Sequence, residues 1–375
     1  MPGVADILRR HGQEYLSRFG DRILPSHRRA IHDIVSCRTG AMGGQVWKCS
    51  SCGTYEYRFH SCRNRACPGC QGEQTDKWFA AREKEMVNTT YFHLVFTIPE
   101  ELRRIFRSNQ RLLYGVLMKA AIEATQELAR DSHFLGGEIA VLAVLHTWTR
   151  TLVYHPHIHI LVPAVGLDAN DELVRARDNF FLPVPALSRL FRGKLRTLAE
   201  EALGERLPWV KEKEWVVHCK PTVKNGKGVL RYLARYMFRQ GITNSRILIH
   251  HDDGSVTFKY KDGKTGVWKQ MTLPAMEFIR RFLQHVLPRG LHKVRYAGLW
   301  HPSRRERLQR LKQLAENESN RPNELCHKTS MKRNIPSLKC PKCGCEELVH
   351  LGRFRRGQGQ FFPSSRPPPK LELVA

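Results

Sequence analysis

Apolar and polar positions alternate along this chain in two rhythms. Runs with the helical spacing of three and four residues open it: residues 1 to 36 predict two short amphipathic helices, the second starting at Pro25-Ser26. The same spacing predicts helices over QTDKWFAAREKEMVN (74–88), over most of 100–131, over 183–203, over VLRYLARYMFRQ (229–240) and over EFIRRFLQHVL (277–287), the last ended by Pro288-Arg289-Gly290. Short apolar runs bounded by turn residues predict strands instead. YFHLVFTIP (91–99) is one, stopped at Pro99, and WVVHCKPTV (215–223) is another. EIAVLAVLHTWTR (138–150) and LVYHPHIHILVPAV (152–165) are separated by so little that they read as a hairpin with a polar Thr-Arg-Thr bend. Two more strands flank the turn signal Asp252-Asp253-Gly254. Strands separated from helices in this way predict an α+β fold, and no internal repeat is visible.

The organisation that follows is a helical and cysteine-rich region over 1–86, a mixed region over 87–300, and a basic region over 301–375 that ends in a Pro/Gly/Ser-rich tail expected to be disordered. With 375 residues, 41% hydrophobic and 26% charged, the composition is that of a folded protein with more than one domain. Charge changes the picture more. Lys and Arg number 62 against 35 Asp and Glu, a formal net charge of +27, which points to a polyanionic partner, foremost nucleic acid. No run approaches the ~18 apolar residues of a membrane span, and the charged opening MPGVADILRRHGQEYL is not a secretory leader. The 11 cysteines, several in CxxC pairs, then suit metal binding in a reducing compartment, the cytoplasm, better than disulfides.

Cys49-x2-Cys52 and Cys67-x2-Cys70 lie 14 residues apart, with Gly and Pro in knuckle positions. Two such knuckles can offer four thiolates to one zinc ion, a closed shell with a structural role. His60, Cys62 and Cys37 are close enough in sequence to substitute or to build an extra site. Arg63 and Arg65 would give this module a DNA-contacting surface, a solvated basic face being the plainer reading. Near the end, Cys340, Cys343 and Cys345 offer a possible second zinc site whose fourth ligand stays open among Cys326, His327 and His350.

The strand VYHPHIHILV carries the other candidate chemistry. Residues two apart on a strand share a face, so His157 and His159 present two imidazoles side by side, half of a divalent-metal site. His146 on the preceding strand is the preferred third ligand and His93 an alternative, while His155 sits at the rim before Pro156. Tyr232 and Tyr236 stand one turn apart on their helix, with Arg235 and Arg239 beside them as candidate phosphate contacts. Alone they would be ordinary half-buried tyrosines. Beside a metal site a tyrosine hydroxyl is a competent nucleophile toward a phosphodiester.

The ordered set CRTGAMGG…CSSCG…SCRNRACPGCQ, VFTIPEELR, LHTWTRTLVYHPHIHILV, VLRYLARYMFRQGITNSRI and FIRRFLQHVLPRGLHKVRYAGLW, over roughly residues 5 to 300, resembles the HUH-type transposases of insertion-sequence family ninety-one, which move by rolling-circle transposition. The resemblance implies a zinc-binding N-terminal domain and an HUH endonuclease domain with a central antiparallel sheet flanked by helices. It makes His157 and His159 ligands of Mg2+ or Mn2+, and Tyr232 and Tyr236 the nucleophiles, one or both acting through a 5′-phosphotyrosine. It adds Gln240 as a further alternative for the third ligand. The partner implied is single-stranded DNA at element ends and target, in a bacterial cytoplasm at the nucleoid. Because no Walker-type phosphate loop is present, a host helicase would do the unwinding. A plasmid replication initiator or relaxase would share this chemistry, and a non-catalytic zinc-dependent DNA-binding protein would share the cysteines alone. A metal-dependent RNA hydrolase is disfavoured, since no acidic cluster for two-metal chemistry stands out.

Overall fold

The computed structural model of the chain describes residues 2–177, 179–208, 210, 215, 217–222, 241–318 and 339–356. Its centre is an antiparallel sheet of five strands, extended by two short ones. The expected hairpin forms its middle, with β4 at Glu138–Trp148 and β5 at Tyr154–Pro163. On the free side of β5 lies β3 (Tyr91–Thr97), followed by β8 (Val217–Pro221); β12 (Val294–Gly298) takes the other edge of β4. The short β6 (Val165–Leu167) and β7 (Leu173–Arg175) carry too few residues for a sequence signal, and β12, half-buried at every position, shows no alternation.

Alternation along these strands sorts side chains onto two unlike faces. Even positions of β5 (Ile158, Ile160, Val162) and odd positions of β4 (Val141, Ala143, Leu145) enter the main core. Two helices cover that face. In α5 (Gln110–Arg130), Leu113, Leu117, Ala121 and Ala124 recur at helical spacing and are fully buried. In α6 (Val184–Leu203), Leu187, Phe191, Leu195 and Ala199 do the same at every fourth position. Burial of each large side chain contributes about 1.5–3 kcal/mol, so these two stripes fix which face of the sheet is closed.

The long helix expected over 100–131 is interrupted. A 3-10 turn (Glu100–Leu102) leads into α4 (Arg103–Ser108), and Asn109 separates α4 from α5 with φ −116° and ψ 38°. The amide of Asn109 donates to the Ile105 carbonyl from both backbone and side chain, closing one helix, while its own carbonyl accepts from Leu112 and Leu113 to open the next.

A second sheet, β9 (Ile247–His250), β10 (Ser255–Lys261) and β11 (Trp268–Pro274), contains the expected turn, where Gly254 takes φ +81°. It leads into α7 (Ala275–Leu283), shorter than the 277–287 span expected. The N-terminal helices α1 (Val4–Phe19) and α2 (Pro25–Ser36) pack here: Ile7, Leu8 and Ile31 share one core with Phe258, Phe278 and Phe282.

A third sheet joins the ends of the chain. β1 (Gly44–Cys49) and β2 (Tyr55–Phe59) form a hairpin, and β13 (Leu348–Phe354) pairs with β1. The region after 301 is therefore divided. Its helix α8 (Arg305–Glu318) places Leu308, Leu311 and Ala315 on the second face of the central sheet, whereas β13 joins the N-terminal module. No described helix is long and apolar enough to cross a membrane.

Candidate active site

The second face of the central sheet is apolar at one end and lined with histidine at the other. At the apolar end Leu142, Val144 and Leu161 meet α8 and Trp300. Toward the β4–β5 turn the same face carries His146, directly across from His157, and His159 two residues on. Cross-strand pairing and the period of two bring the three imidazoles together: one ring nitrogen from each lies within 4.8 Å of the others. Ring centres are 4.4 Å apart for His146 and His159, 4.8 Å for His157 and His159, and 5.5 Å for His146 and His157. The preferred third residue is thus brought to the pair.

Each ring is held by a neighbour. A carbonyl can only accept, so His157 donates its Nδ1–H to the backbone oxygen of His155 at 2.7 Å, which leaves Nε2 with its lone pair. Nδ1 of His159 is hydrogen-bonded at 2.8 Å to Nε2 of His93, again leaving Nε2 of His159 toward the cluster. His93 therefore stands behind a ligand position instead of occupying one. His146 lies against Trp148, ring centres 4.7 Å apart. Burial pushes His157 and His93 down to about 4 and His159 well below the ordinary histidine value, and neighbouring imidazoles repel any added proton. These rings are neutral at pH 7, the state that binds a metal. Three imidazoles on one rigid surface fit a divalent ion, and they leave coordination positions to water and phosphate oxygen.

Tyr232, Tyr236, Arg235, Arg239 and Gln240 lie outside the described residues. The first described residue after them does not lie far from the histidines. Gly241 is packed so tightly that a Cβ there would stand 2.6 Å from Leu152 Cδ2, 3.2 Å from the His285 ring and 3.3 Å from Trp148, the residue stacked on His146. His285, fully buried, braces this corner between Thr147 Oγ1 and the Leu152 carbonyl, 3.2 Å from each. Neither Trp148 nor His285 announces itself in the sequence, because each works only through a neighbour distant in the chain.

The cysteines form two groups of four. Cys37, Cys62, Cys67 and Cys70 make one; Cys49, Cys52, Cys340 and Cys343 make the other. A single ion shared by Cys49, Cys52, Cys67 and Cys70 does not match this arrangement, and Cys340 and Cys343 do not build a site of their own. The physical reason is the third sheet. Pairing of Cys49 with Leu348 brings the 340–345 turn onto the tip of the β1–β2 hairpin. The other knuckle leads instead into α3 (Gln71–Glu83) and meets Cys37 at the end of α2. Within the groups, sulfur atoms approach to 3.4–3.7 Å: Cys37–Cys70, Cys62–Cys70 and Cys37–Cys67 in the first, Cys49–Cys343 and Cys52–Cys340 in the second. Four sulfurs at about 2.3 Å from a tetrahedral zinc would be about 3.8 Å apart, while a disulfide needs about 2.05 Å. The spacing fits zinc. Hydrogen bonds from Thr54 hold the Cys52 thiol down at about 6, and those from Cys62 and Cys67 lower Cys70, while Cys49, Cys343, Cys62 and Cys67 are raised, so each group concentrates thiolate character on one sulfur. Cys345 lies outside, its sulfur accepting from Ser51 Oγ. His60 is exposed and His350 rests on Trp47, apart from both groups; Cys326 and His327 lie outside the described residues. Arg63 is exposed, but Arg65 turns inward and donates to the carbonyls of Leu287, Pro288 and Leu291, facing protein where a DNA contact was expected.

Comparison with known proteins agrees with this organisation. A family model described as "Transposase zinc-binding domain", of the IS91 type, matches residues 7–98, and one described as "Putative transposase" matches residues 140–307. The chain is 38% identical to "Putative transposase y4qJ" of Sinorhizobium fredii, over 94% of this chain and 96% of that protein. It is 27% identical to the transposase for insertion sequence element IS801 of Pseudomonas savastanoi pv. phaseolicola, over 72% of this chain and 68% of that protein. No solved structure matches it.

Proposed function

The chain belongs to the IS91 family of insertion-sequence transposases, and we propose that it nicks and rejoins single-stranded DNA at the ends of its element through a covalent 5′-phosphotyrosine, in rolling-circle transposition. The observation that carries this reading is the co-facial trio His146, His157 and His159, neutral where a shift is resolved and aimed at one point, with Gly241 packed on the Trp148 that backs it. Tyr236 is five residues before Gly241 in the sequence.

His146, His157 and His159 would hold Mg2+ or Mn2+, which supplies Lewis-acid polarisation of the scissile phosphate. Tyr232 or Tyr236 attacks phosphorus through its Oη. The new bond joins that oxygen to phosphorus, the bond from phosphorus to the 3′ oxygen breaks, and the phenolic proton is balanced by protonation of the departing 3′ oxygen. The phosphodiester energy is conserved in the tyrosyl ester, so a later 3′-OH can reverse the step without ATP. Arg235 and Arg239 neutralise the phosphate, and Arg63 extends the basic surface from the zinc module. His93 and the His155 carbonyl fix ring orientation and tautomer, as hydrogen-bonded neighbours of metal ligands do. Zinc in the two thiolate groups has a structural role, since four protein ligands leave no open position.

An oligonucleotide bearing the element end, incubated with Mn2+, tests the reading. Wild-type protein is expected to give a covalent adduct and a free 3′-OH. Adduct formation by the Tyr232→Phe/Tyr236→Phe protein would refute the nucleophile, and normal cleavage by His157→Ala/His159→Ala would refute the metal site.

A further inference from the structure

A cleft of about 510 Å³ lies between α1, α4 and α7, and its lining includes none of the three cluster histidines and no cysteine. Its wall is strongly cationic: Arg18, Arg22, Arg107 and Arg280 face it, against the single acid Glu277. That acid is already taken, by Arg280 at 2.6 and 2.8 Å and by Arg281 at 2.7 Å. Among the described residues no ion pair holds Arg18, Arg22 or Arg107. Arg18 lies over the ring of Phe19, 5.4 Å from its centre. Among the described residues the clustered charge is therefore uncompensated, and an anion would relieve it.

Two further polar groups in the wall have no partner among the described residues. The side-chain nitrogen of Gln284, in a residue only 5% exposed, has no acceptor, and Nε2 of His27 makes no hydrogen bond. A buried donor without an acceptor is costly and uncommon, so a ligand that accepts from Gln284 is the simplest account of it. Tyr15 and Phe19 add an aromatic surface, their ring centres 4.9 Å apart, and Ile23, Met276 and Leu283 add apolar contact. An inorganic anion would satisfy the arginines but leave most of the volume and the aromatic wall unused. The volume falls in the range of clefts that enclose a small organic ligand, roughly 300–1,000 Å³.

We infer that this cleft seats a single nucleotide, its phosphate on Arg18, Arg22 and Arg107, its base against Tyr15 and Phe19, and a base-edge acceptor on the Gln284 amide. The combination of guanidinium groups with aromatic faces is the one that binds unpaired nucleotides. The inference rests on DNA being the substrate and not on the tyrosine chemistry. A nucleotide held here would anchor the strand outside the histidine cluster.

The full chain is incubated with a mixed-sequence single strand containing 5-iododeoxyuridine, without added Mg2+ or Mn2+ so that cleavage plays no part, and irradiated. Cross-links are expected on the peptide holding Tyr15 and Phe19. Arg18→Gln/Arg22→Gln, two exposed positions whose loss leaves the cores intact, should lower affinity roughly tenfold and flatten the salt dependence by about 1.4 in log–log slope. Gln284→Leu should weaken an intact strand several-fold and leave an abasic strand unchanged, a difference that a merely basic surface would not produce. Calorimetry with thymidine monophosphate distinguishes the source: Arg22-dependent binding of the free nucleotide without strand cross-links assigns the cleft to a free nucleotide. Cross-links that map only elsewhere, together with no nucleotide binding, overturn the inference.

Discussion

At the scale of single residues, the candidate site depends on groups kept uncharged. His285 shows what this does to stability. It is fully buried, and burial pushes it down to about 4 from an ordinary value of about 6.5. Between those values the unfolded chain binds a proton that the folded chain refuses, so stability is complete above pH 6.5 and falls as pH drops toward 4, by about 3 kcal/mol in all. His285→Gln keeps a polar partner for Thr147 and is expected to lessen the pH dependence of urea unfolding in that window by one proton. An unchanged slope would show that the ring is not the group responsible. Gly241 makes a second prediction. An added Cβ must displace Leu152, so Gly241→Ala should cost about 1–3 kcal/mol in thermal unfolding. Gly241→Ala/Leu152→Ala should then be less damaged than the sum of its single changes.

Elements, in turn, decide which side chains meet. The β4–β5 hairpin sets His146 opposite His157, and β3 supplies His93 behind His159. The pairing of β13 with β1 has the larger consequence, because it takes ligands for one cysteine group from opposite ends of the chain. Two groups of four predict two equivalents of zinc per chain. Cys340→Ser/Cys343→Ser and Cys49→Ser/Cys52→Ser should each lose the same one equivalent, and combining all four changes should lose no more. If the combined variant lost both equivalents, the grouping would be wrong. Cys67→Ser/Cys70→Ser should remove the other equivalent and loosen the contact of α2 with the start of α3.

For the molecule as a whole, charge and continuity of the cores matter most. A net charge of +27 means that DNA binding should weaken steeply with salt, each phosphate neutralised on a single strand adding about 0.7 to the log–log slope. A slope near zero in filter binding would contradict a phosphate-tracking surface. The N-terminal helices share a core with α7 and the β9–β11 sheet, and the C-terminal strand joins the zinc module. The consecutive regions visible in the sequence are thus woven together in space.

Much of this was legible in the chain before any coordinates. The α+β class, the central hairpin and the helix over 183–203 follow from local periodicity, because a period of two or of 3.6 specifies its element wherever one face is buried. His157 and His159 were legible for the same reason, since positions two apart on a strand must share a face. The triad with His146 needed only the hairpin register in addition. The grouping of the cysteines was not legible: two CxxC knuckles look alike in sequence, and which knuckle meets which is set by β13 pairing with β1 almost three hundred residues away. The inward turn of Arg65, the bracing by Trp148 and His285 and the arginine-lined cleft are likewise contacts between segments remote in the chain. Local sequence fixes the period and the hand of each element; only tertiary packing chooses the neighbours, because burial is non-directional and any apolar face could have closed against another.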